Sequence, residues 1–587
     1  EAVRQSVEAG LNVRCTFRSP ESYVLPLREL IQEGGLSMET IDNRVRDILR
    51  VKFLTGLFDT PYQTDLALAD KEVNSEAHQQ VALQASREGL VLLKNANNLL
   101  PLDKSQIKRI AVCGPNADEA SFALTHYGPV AVEVTTVLEG IKQQVKEGTK
   151  VTYTKGCDLV DTNWPESEII SYPLTAEEKT EIQKAVDNVK ESDVAVVVLG
   201  GGIRTCGENK SRTSLDLPGH QQQLLEAIVA TGKPVVLVLI NGRPLSINWA
   251  DKFVPAILEA WYPGSQGGTA IAEALFGDYN PGGKLTVTFP KTVGQIPFNF
   301  PAKPASQVDG GQTPGMKGNQ SRINGPLYPF GYGLSYTTFE YSNLQLSSPV
   351  ITDKEPVTVT CKIKNTGTRS GDEVVQLYTR DVISSVTTYE KNLRGFERVH
   401  LEPGETKEVS FQLLPRDFQL LNKDNHWVVE PGMFQIMIGA SSEDIRLKKG
   451  LEIRAYGQAS ANEIIESDPR DFISASKNKS HIIHVVDGDY STTWKGEKGE
   501  YISFELAENA KVDRINVAWK NAEAGTHYEI QISSGGGQFL PVQRGEVTPN
   551  QEETIRFNKT GGSDLRILIT NGSAEIAEIK LPELRKE

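Results

Sequence analysis

Between residues 107 and 300 the sequence alternates apolar runs of strand length with segments that have helical spacing. VAVVVLGGG (194–202) and VVLVLING (235–242) are continuously apolar, which is typical of strands covered on both faces. QQQLLEAIVATG (221–232), which lies between these two runs, has the spacing of an amphipathic helix. This alternation predicts a doubly wound or sandwich-like α/β domain over residues 107–335.

The pattern changes near residue 340, where polar and apolar residues begin to alternate with a period of two. VTVTCKIKN (357–365) is one such stretch, and turn clusters separate it from the next. We therefore expect an antiparallel β-sandwich over residues 336–456. A polar stretch follows, and further strand patterns predict a second all-β domain over residues 457–587.

The first 60 residues predict a helix, a short strand and two more helices. The strand is LNVRC (11–15), and Ser37 is the predicted N-cap of the last helix. Because one strand cannot make a sheet, we expect residues 1–60 to be the last part of a (β/α) barrel. Residues 61–106 are predicted to be a linker with a connecting helix over 73–95.

Charge and composition exclude several classes of function. The chain has 587 residues and a net charge of −14, whereas nucleic acids and anionic membranes require basic patches on their partners. It has no apolar run of about 18 residues that could span a bilayer. The five cysteines lack the spacing of a zinc site or a disulfide framework.

A glycine-rich loop follows the strand at 194–202 and raises the question of a nucleotide site. Gly202 and Gly207 have the spacing of a phosphate-binding loop, but Glu208 and Asn209 follow where such a loop needs Lys and then Ser or Thr. A carboxylate there would repel a polyphosphate. The loop therefore presents a carboxylate beyond the end of a predicted buried strand, where α/β sheets place their ligand sites.

Several stretches of residues 1–455 occur in the same order as the motifs of a known family, among them ASREGLVLLKNANNLLPL, SRTSLDLPGHQ, EAWYPGSQGG, GDYNPGGKLTVTFP and YPFGYGLSYTTFEY. Together they resemble glycoside hydrolase family 3, and most closely its β-glucosidases and β-xylosidases of the Bacteroidetes type. The later stretch VVDGDYSTTWKG resembles a discoidin-type jelly roll. The resemblance implies a multidomain α/β plus all-β chain: a partial (β/α) barrel, an α/β sandwich, a fibronectin type III-like β-sandwich and a discoidin-like module.

The resemblance also implies a retaining glycosidase that uses two carboxylates. In the family a barrel Asp is the nucleophile, and the acid/base Glu lies in a stretch similar to E-G-x-D-R before L-x-L-P-G. Here that stretch is Glu208 to Arg212, followed by LDLPG (215–219), so the resemblance implies that Glu208 is the general acid/base. Asn209 and Ser211 depart from the family pattern. On residue chemistry alone, Glu208 is equally a solvated carboxylate paired with Arg204 or Arg212, the two arginines that are also candidate substrate contacts.

The nucleophile's S-D-W-like stretch is not present in this sequence. We therefore expect the chain to be the C-terminal portion of a longer exo-acting β-glucosidase that acts on oligosaccharides or glycosides, and to be inactive without the barrel. The alternatives are a β-xylosidase of the same family and a non-catalytic carbohydrate-binding fragment. The reaction requires no cofactor, and the family resemblance suggests a periplasmic or secreted bacterial protein.

The remaining candidates lie far from the loop in sequence. Arg14 lies near the carboxyl end of the predicted strand at 11–15 and is a candidate sugar contact, with a salt bridge as the alternative. In the discoidin-like module, Tyr490 and Trp494 could form a sugar platform or belong to the core. Asp487 and Asp489 could hold a structural calcium or form a hydrogen-bonded turn.

Overall fold

A computed structural model of the chain describes residues 1–61, 65–124, 127–128, 132–145, 147–303, 323, 325–456, 473–478, 482, 485–486, 492–506, 511–533 and 539–581. The chain divides into two compact units, residues 1–80 and 81–587.

The described part of the first unit is helical. Its helices are α1 (Ala2–Glu8), α2 (Glu21–Gln32), α3 (Met38–Leu54) and α4 (Leu66–Glu72). The Ser37 hydroxyl accepts a hydrogen bond from the Thr40 amide at 3.1 Å, which confirms the predicted N-cap of α3. The predicted strand at 11–15 is wrong. Residues 11–15 pair with no other strand among the described residues, and Val13 is 68% exposed. The segment therefore has neither a strand to hydrogen-bond with nor a buried face that would stabilise an extended conformation.

The second unit begins within α5 (Glu76–Gly89) and continues into an α/β domain. Its strands are β1 (Val91–Asn95), β2 (Arg109–Cys113), β3 (Lys150–Thr154), β4 (Val194–Gly200), β5 (Val235–Ile240) and β6 (Ala256–Glu259). They form one sheet in the order β1-β6-β5-β4-β2-β3. All neighbours are parallel except β1, which is antiparallel to β6.

Helices cover both faces of this sheet. They are α6 (Val137–Gln144), α7 (Ala176–Lys190), α8 (Gln221–Val229), α9 (Asn248–Phe253) and α10 (Gly267–Phe276). Two apolar cores lie on opposite faces, because alternate residues of each buried strand point to opposite sides. Helices α6 and α10 approach backbone to backbone: a Cβ on Gly140 would lie 2.1 Å from the carbonyl oxygen of Gly268.

The sheet corrects two predictions about the start of the domain. The helix expected over 73–95 ends at Gly89, and the following residues form β1 instead. Leu90, Val91, Leu92 and Leu93 are all buried, and a run that is apolar on both faces suits a covered strand rather than an amphipathic helix. Because β1 belongs to the sheet, the domain begins before the predicted boundary at residue 107.

The next domain is the predicted β-sandwich. Its strands are β7 (Phe339–Leu346), β8 (Val350–Thr352), β9 (Val357–Asn365), β10 (Gly371–Asp381), β11 (Asn392–Leu401), β12 (Thr406–Leu413), β13 (Leu420–Leu421), β14 (Trp427–Val428), β15 (Gly432–Gly439) and β16 (Ile445–Arg454). One sheet has the order β11-β10-β15-β16-β8 and the other β12-β9-β7, with β13 and β14 as a separate pair. Neighbouring strands are antiparallel, as predicted, except β8, which is parallel to β16. Strand β9 alternates buried and more exposed residues, which is the period-two pattern of its sequence.

The last domain is a second β-sandwich around its own apolar core. Its strands are β17 (Ile473–Ala475), β18 (Trp494–Glu497), β19 (Tyr501–Glu505), β20 (Lys511–Ala522), β21 (His527–Ser533), β22 (Phe539–Glu546), β23 (Glu552–Gly561), β24 (Asp564–Asn571) and β25 (Ser573–Lys580). They form two sheets with the orders β17-β19-β24-β21-β22 and β18-β25-β20-β23.

Candidate active site

The loop that carries Glu208 rises from the carboxyl end of β4, in the middle of the α/β sheet. Gln221, fully buried at the start of α8, holds the base of this loop. Its Oε1 accepts a hydrogen bond from the Gly200 amide at 2.8 Å, and its Nε2 donates to the carbonyl oxygens of Gly200 at 2.9 Å and Leu159 at 2.8 Å. One side chain therefore satisfies both backbone groups of the residue at which the strand ends.

Beyond the strand, the loop turns tightly and is tied to the neighbouring strand end. The hydroxyl of the buried Thr205 accepts a hydrogen bond from the Gly202 amide at 3.1 Å. Arg243, just after β5, donates through Nη2 to the Thr205 carbonyl oxygen at 2.7 Å. Asn209 has a φ of 61°, a left-handed conformation that Asn adopts more readily than most residues. The turn therefore has a defined path up to Glu208.

Glu208 itself is exposed at the tip of this turn. Its Oε2 accepts a hydrogen bond from the Tyr127 hydroxyl at 2.6 Å, and that contact raises the pKa of Tyr127. Arg204 is also exposed, and its predicted contact with substrate stays a prediction. Glu208 is thus held at one oxygen and is open to solvent in the described part of the chain.

Arg212 lies in the same loop but faces inward. Its guanidinium donates from Nε to Glu168, and the two side chains are only 4% and 5% exposed. Nη2 donates to the Asp216 carbonyl oxygen at 3.0 Å, and the guanidinium carbon lies 5.1 Å from the centre of the Trp164 ring. Burial lowers the pKa of Arg212 to about 10, with repulsion from Arg243 adding to the effect, so the group remains charged at neutral pH.

This geometry corrects the alternative reading in which Glu208 pairs with Arg212. The partner of Arg212 is Glu168, which also accepts hydrogen bonds from the amide of Thr213 at 2.8 Å and from its hydroxyl. Ion pairs between described residues do not include Glu208. Arg212 therefore anchors the loop. Its guanidinium, which was predicted to contact substrate, is bound to Glu168 and to the Asp216 carbonyl oxygen.

The LDLPG stretch closes the loop against the domain. Leu215 and Leu217 are buried, and the Leu215 carbonyl oxygen accepts a hydrogen bond from the Ser246 amide at 2.8 Å. Gly219 has a φ of 58°, and a Cβ there would lie 2.8 Å from the Asp161 amide nitrogen. Only glycine fits this position without displacing the 161–172 segment.

A second carboxylate, Glu259, lies inside the domain at the end of β6. It is fully buried and accepts hydrogen bonds from Asn241 Nδ2 at 3.0 Å to each oxygen and from the Trp261 amide at 2.9 Å. Burial raises its pKa to about 8, while these donors oppose the shift. The Trp261 ring packs edge-on against Phe289 in the core. Glu259 and Trp261 therefore stabilise the ends of the strands.

The other predicted site residues have partners of their own. In the first unit, the Arg14 guanidinium lies over the Tyr23 ring at 5.0 Å. Trp494 is 0% exposed in the last domain, and its Nε1 donates to the Lys477 carbonyl oxygen at 3.0 Å. The predicted sugar platform at Trp494 is therefore wrong, because the ring fills the core beside Gly496, where a Cβ would lie 2.4 Å from it.

The predicted calcium site cannot be placed on this structure. Asp487, Asp489 and the aromatic Tyr490 lie outside the described residues. Within the described ranges, no group of three or more His, Cys, Asp or Glu side chains could hold a metal ion.

Sequence reasoning missed the residues that hold the loop in place. Tyr127, Glu168 and Arg243 come from three separate loops, and their order in the sequence gives no sign that they meet. Gln221 had a usable signal, because it immediately follows LDLPG and His220 at a predicted helix start. An amide at that position can pair with both a donor and an acceptor of the adjacent strand end.

Comparison with known proteins assigns each domain of the second unit. Residues 90–336 match the glycosyl hydrolase family 3 C-terminal domain. We call residues 90–336, which give this match, the family 3 domain. Residues 373–442 match a fibronectin type III-like domain and residues 471–580 an F5/8 type C domain, which confirms the expected fibronectin type III-like and discoidin-like domains.

Several proteins that resemble this chain are named as glycosidases. A β-xylosidase from Formosa agariphila is 43% identical over 72% of this chain and 56% of the relative. A periplasmic β-glucosidase from Salmonella typhimurium is 38% identical over 77% of this chain and 60% of the relative. The crystal structure of a β-glucosidase from Listeria innocua in complex with glucose is 33% identical, with a TM-score of 0.68 over 78% of this chain and 60% of that chain.

The chain thus spans a little over half the length of these relatives. Among the described residues, no helix is both long enough and apolar enough to cross a membrane.

Proposed function

We propose that the protein to which this chain belongs is an exo-acting retaining β-glucosidase, with Glu208 as its general acid/base. The observation that supports this most is the position of Glu208 at the tip of a braced loop, beyond the central strand of a family 3 domain. Glu208 protonates the departing glycosidic oxygen and then activates the water that releases the sugar. The nucleophilic Asp of this mechanism belongs to a barrel upstream of residue 1.

The substrate is a terminal, non-reducing β-linked glucose unit of an oligosaccharide or glycoside. A β-xylosidase is the second candidate, because a relative with that name is 43% identical to this chain. The two activities differ at the C5 substituent of the sugar.

A periplasmic or secreted location follows from the periplasmic relative and stays part of the proposal. The reaction needs only the two carboxylates, and a calcium in the C-terminal module stays a prediction.

The test compares the full-length gene product with its Glu208→Gln variant on aryl β-glucosides and β-xylosides. Loss of the acid should reduce kcat/KM by about 10²–10⁴-fold on poor leaving groups and much less on good ones. Added azide should restore part of the turnover, because it replaces the water that Glu208 activates. The matched control is Glu226→Gln, a carboxylate on α8 of the same domain. Unchanged turnover in Glu208→Gln would remove the assignment, and the preferred aryl glycoside decides between the two sugars.

A further inference from the structure

A cleft of about 830 Å³ lies in the fibronectin type III-like β-sandwich and shares no residue with the Glu208 loop. Its walls come from the segment between β10 and β11, the start of β11, the turn before β13 and the β13–β14 pair. Lys303, which precedes the domain in sequence, adds to them. We call it the basic cleft, and its walls include Lys303, Tyr389, Arg394, Arg416, Gln419 and Trp427.

The walls of the basic cleft carry three cations and no carboxylate. In the described part of the chain, Lys303, Arg394 and Arg416 form no ion pair. The acids next to the walls in sequence, Glu390 and Asp417, are not among the lining residues. The chain as a whole has a net charge of −14, so this cleft is a local concentration of positive charge on an acidic protein. Such a concentration attracts an anionic ligand.

Arg394 is the strongest sign of an anion site, because its charge is half-buried without a counter-ion. Burial lowers its pKa, and the more distant Asp417 only opposes this effect. Its guanidinium makes one hydrogen bond to a described residue, from Nε to the Thr379 hydroxyl at 3.4 Å, so its terminal nitrogens remain open to a ligand. Arg398, on the same strand, pairs with Asp372 at 2.8 Å. An anion in the cleft would give Arg394 the partner that Arg398 already has.

Exposed apolar surface lies beside these cations. Trp427 is 67% exposed, and Tyr389 and Leu421 are exposed as well. Apolar side chains that are grouped and left in solvent mark an interaction site. Asn392 and Gln419 add amides, which can both donate and accept hydrogen bonds. Aromatic faces for a ring, amides for hydroxyl groups and cations for a carboxylate together suit an acidic sugar.

The volume admits a ligand of more than one sugar ring. A cleft of 830 Å³ lies in the upper part of the range of about 300–1,000 Å³ that is typical of ligand pockets. It has room for about 28 waters at about 30 Å³ each. A short oligosaccharide therefore uses the cleft better than a single small anion.

We propose that the basic cleft binds a short acidic oligosaccharide, one whose sugar rings carry carboxylates. Arg394 and Arg416 pair with the carboxylates, and Trp427 stacks on the apolar face of a ring. The inference rests on the proposed function only for the choice of a sugar, since a glycosidase works among glycans. The preference for an anion rests on the residues of the cleft alone.

The test is calorimetric titration of the full chain with trigalacturonate and, separately, with maltotriose, a neutral trisaccharide. Both are α-linked, so the proposed β-glycosidase does not cleave them. Trigalacturonate should bind about tenfold or more tightly than maltotriose, and added salt should weaken only the acidic sugar. Arg394→Gln, Arg416→Gln and Trp427→Ala should each weaken trigalacturonate binding by about tenfold or more. Lys362→Gln removes the same charge from an exposed position on β9, in the other sheet, and should bind as the parent does.

The outcomes separate this inference from the proposed catalysis. Glu208→Gln should keep the trigalacturonate affinity of the parent, so an inactive or misassigned Glu208 leaves the inference intact. Absence of trigalacturonate binding, or equal affinity for maltotriose, would overturn it. Unchanged binding by Arg416→Gln would also do so, because the sugar would then lie elsewhere, and this residue is exposed, so its substitution does not disturb the core. Triglutamate that bound as tightly as trigalacturonate would overturn the choice of a sugar.

Discussion

Glu168 and Arg212 form a buried ion pair between two loops that are 44 residues apart in the sequence. The pair joins the 161–172 segment to the loop that carries Glu208. Glu168 also accepts hydrogen bonds from the amide and hydroxyl of Thr213, so its carboxylate is fully engaged. The position of Glu208 therefore depends on a residue that is outside its own loop.

Glu168→Gln should lower the free energy of unfolding of the family 3 domain by about 3–5 kcal/mol, because it leaves the Arg212 charge buried without a partner. The double variant Glu168→Leu/Arg212→Met should lose less than either single variant, since no charge remains to be desolvated. Urea unfolding followed by tryptophan fluorescence measures both. Additive losses in the double variant would show that the two side chains do not act as a pair.

Gln221→Leu should destabilise the end of β4 specifically. It removes the hydrogen bonds to both backbone groups of Gly200 and to the Leu159 carbonyl oxygen, and each buried group left unpaired costs about 1–3 kcal/mol. We expect faster hydrogen exchange over residues 198–209. Gln222→Leu is the matched control, because its amide bonds only to Glu226 within α8. Equal exchange rates in the two variants would show that Gln221 does not hold the end of β4 in place.

Stability should depend on pH through Glu259. Its pKa is raised from 4.5 to about 8, so the folded state holds a proton that the unfolded chain releases between these values. This contribution is fully present below pH 4.5 and is lost as pH rises towards 8, by at most about 5 kcal/mol. Unfolding of the parent and of Glu259→Gln, compared from pH 5 to 9, isolates the effect. As pH rises, the free energy of unfolding of the parent should fall relative to that of Glu259→Gln. A difference between the two that stays constant with pH would show that Glu259 does not titrate in this way.

Gly140→Ala should destabilise the family 3 domain by about 1–3 kcal/mol or more, because the added methyl group would meet the Gly268 carbonyl oxygen at 2.1 Å. Gly89→Ala, with open space around it in α5, should be neutral or stabilising by about 0.4–1 kcal/mol. Thermal unfolding of the two variants provides the comparison. Similar midpoints would mean that α6 and α10 can move apart at little cost.

Domain order and the nature of most elements were readable from the sequence. The continuous apolar run of β4 and the alternating pattern of β9 record how many faces of each strand are covered, and this depends on neighbouring residues alone. The capping serine of α3 and the LDLPG turn are local signals of the same kind. The exposed carboxylate at Glu208 also followed from its place after a buried strand.

The tertiary structure decided which residues meet. LVLLKN became β1 rather than the end of a helix because β6 offered an edge to pair with, and 11–15 stayed unpaired because it had none among the described residues. Trp494 entered a core instead of a sugar site, and Arg212 paired with Glu168 instead of Glu208. The physical reason is that local pattern encodes how much of a segment is buried. The partner of a buried group depends on elements that are brought together only when the whole domain packs.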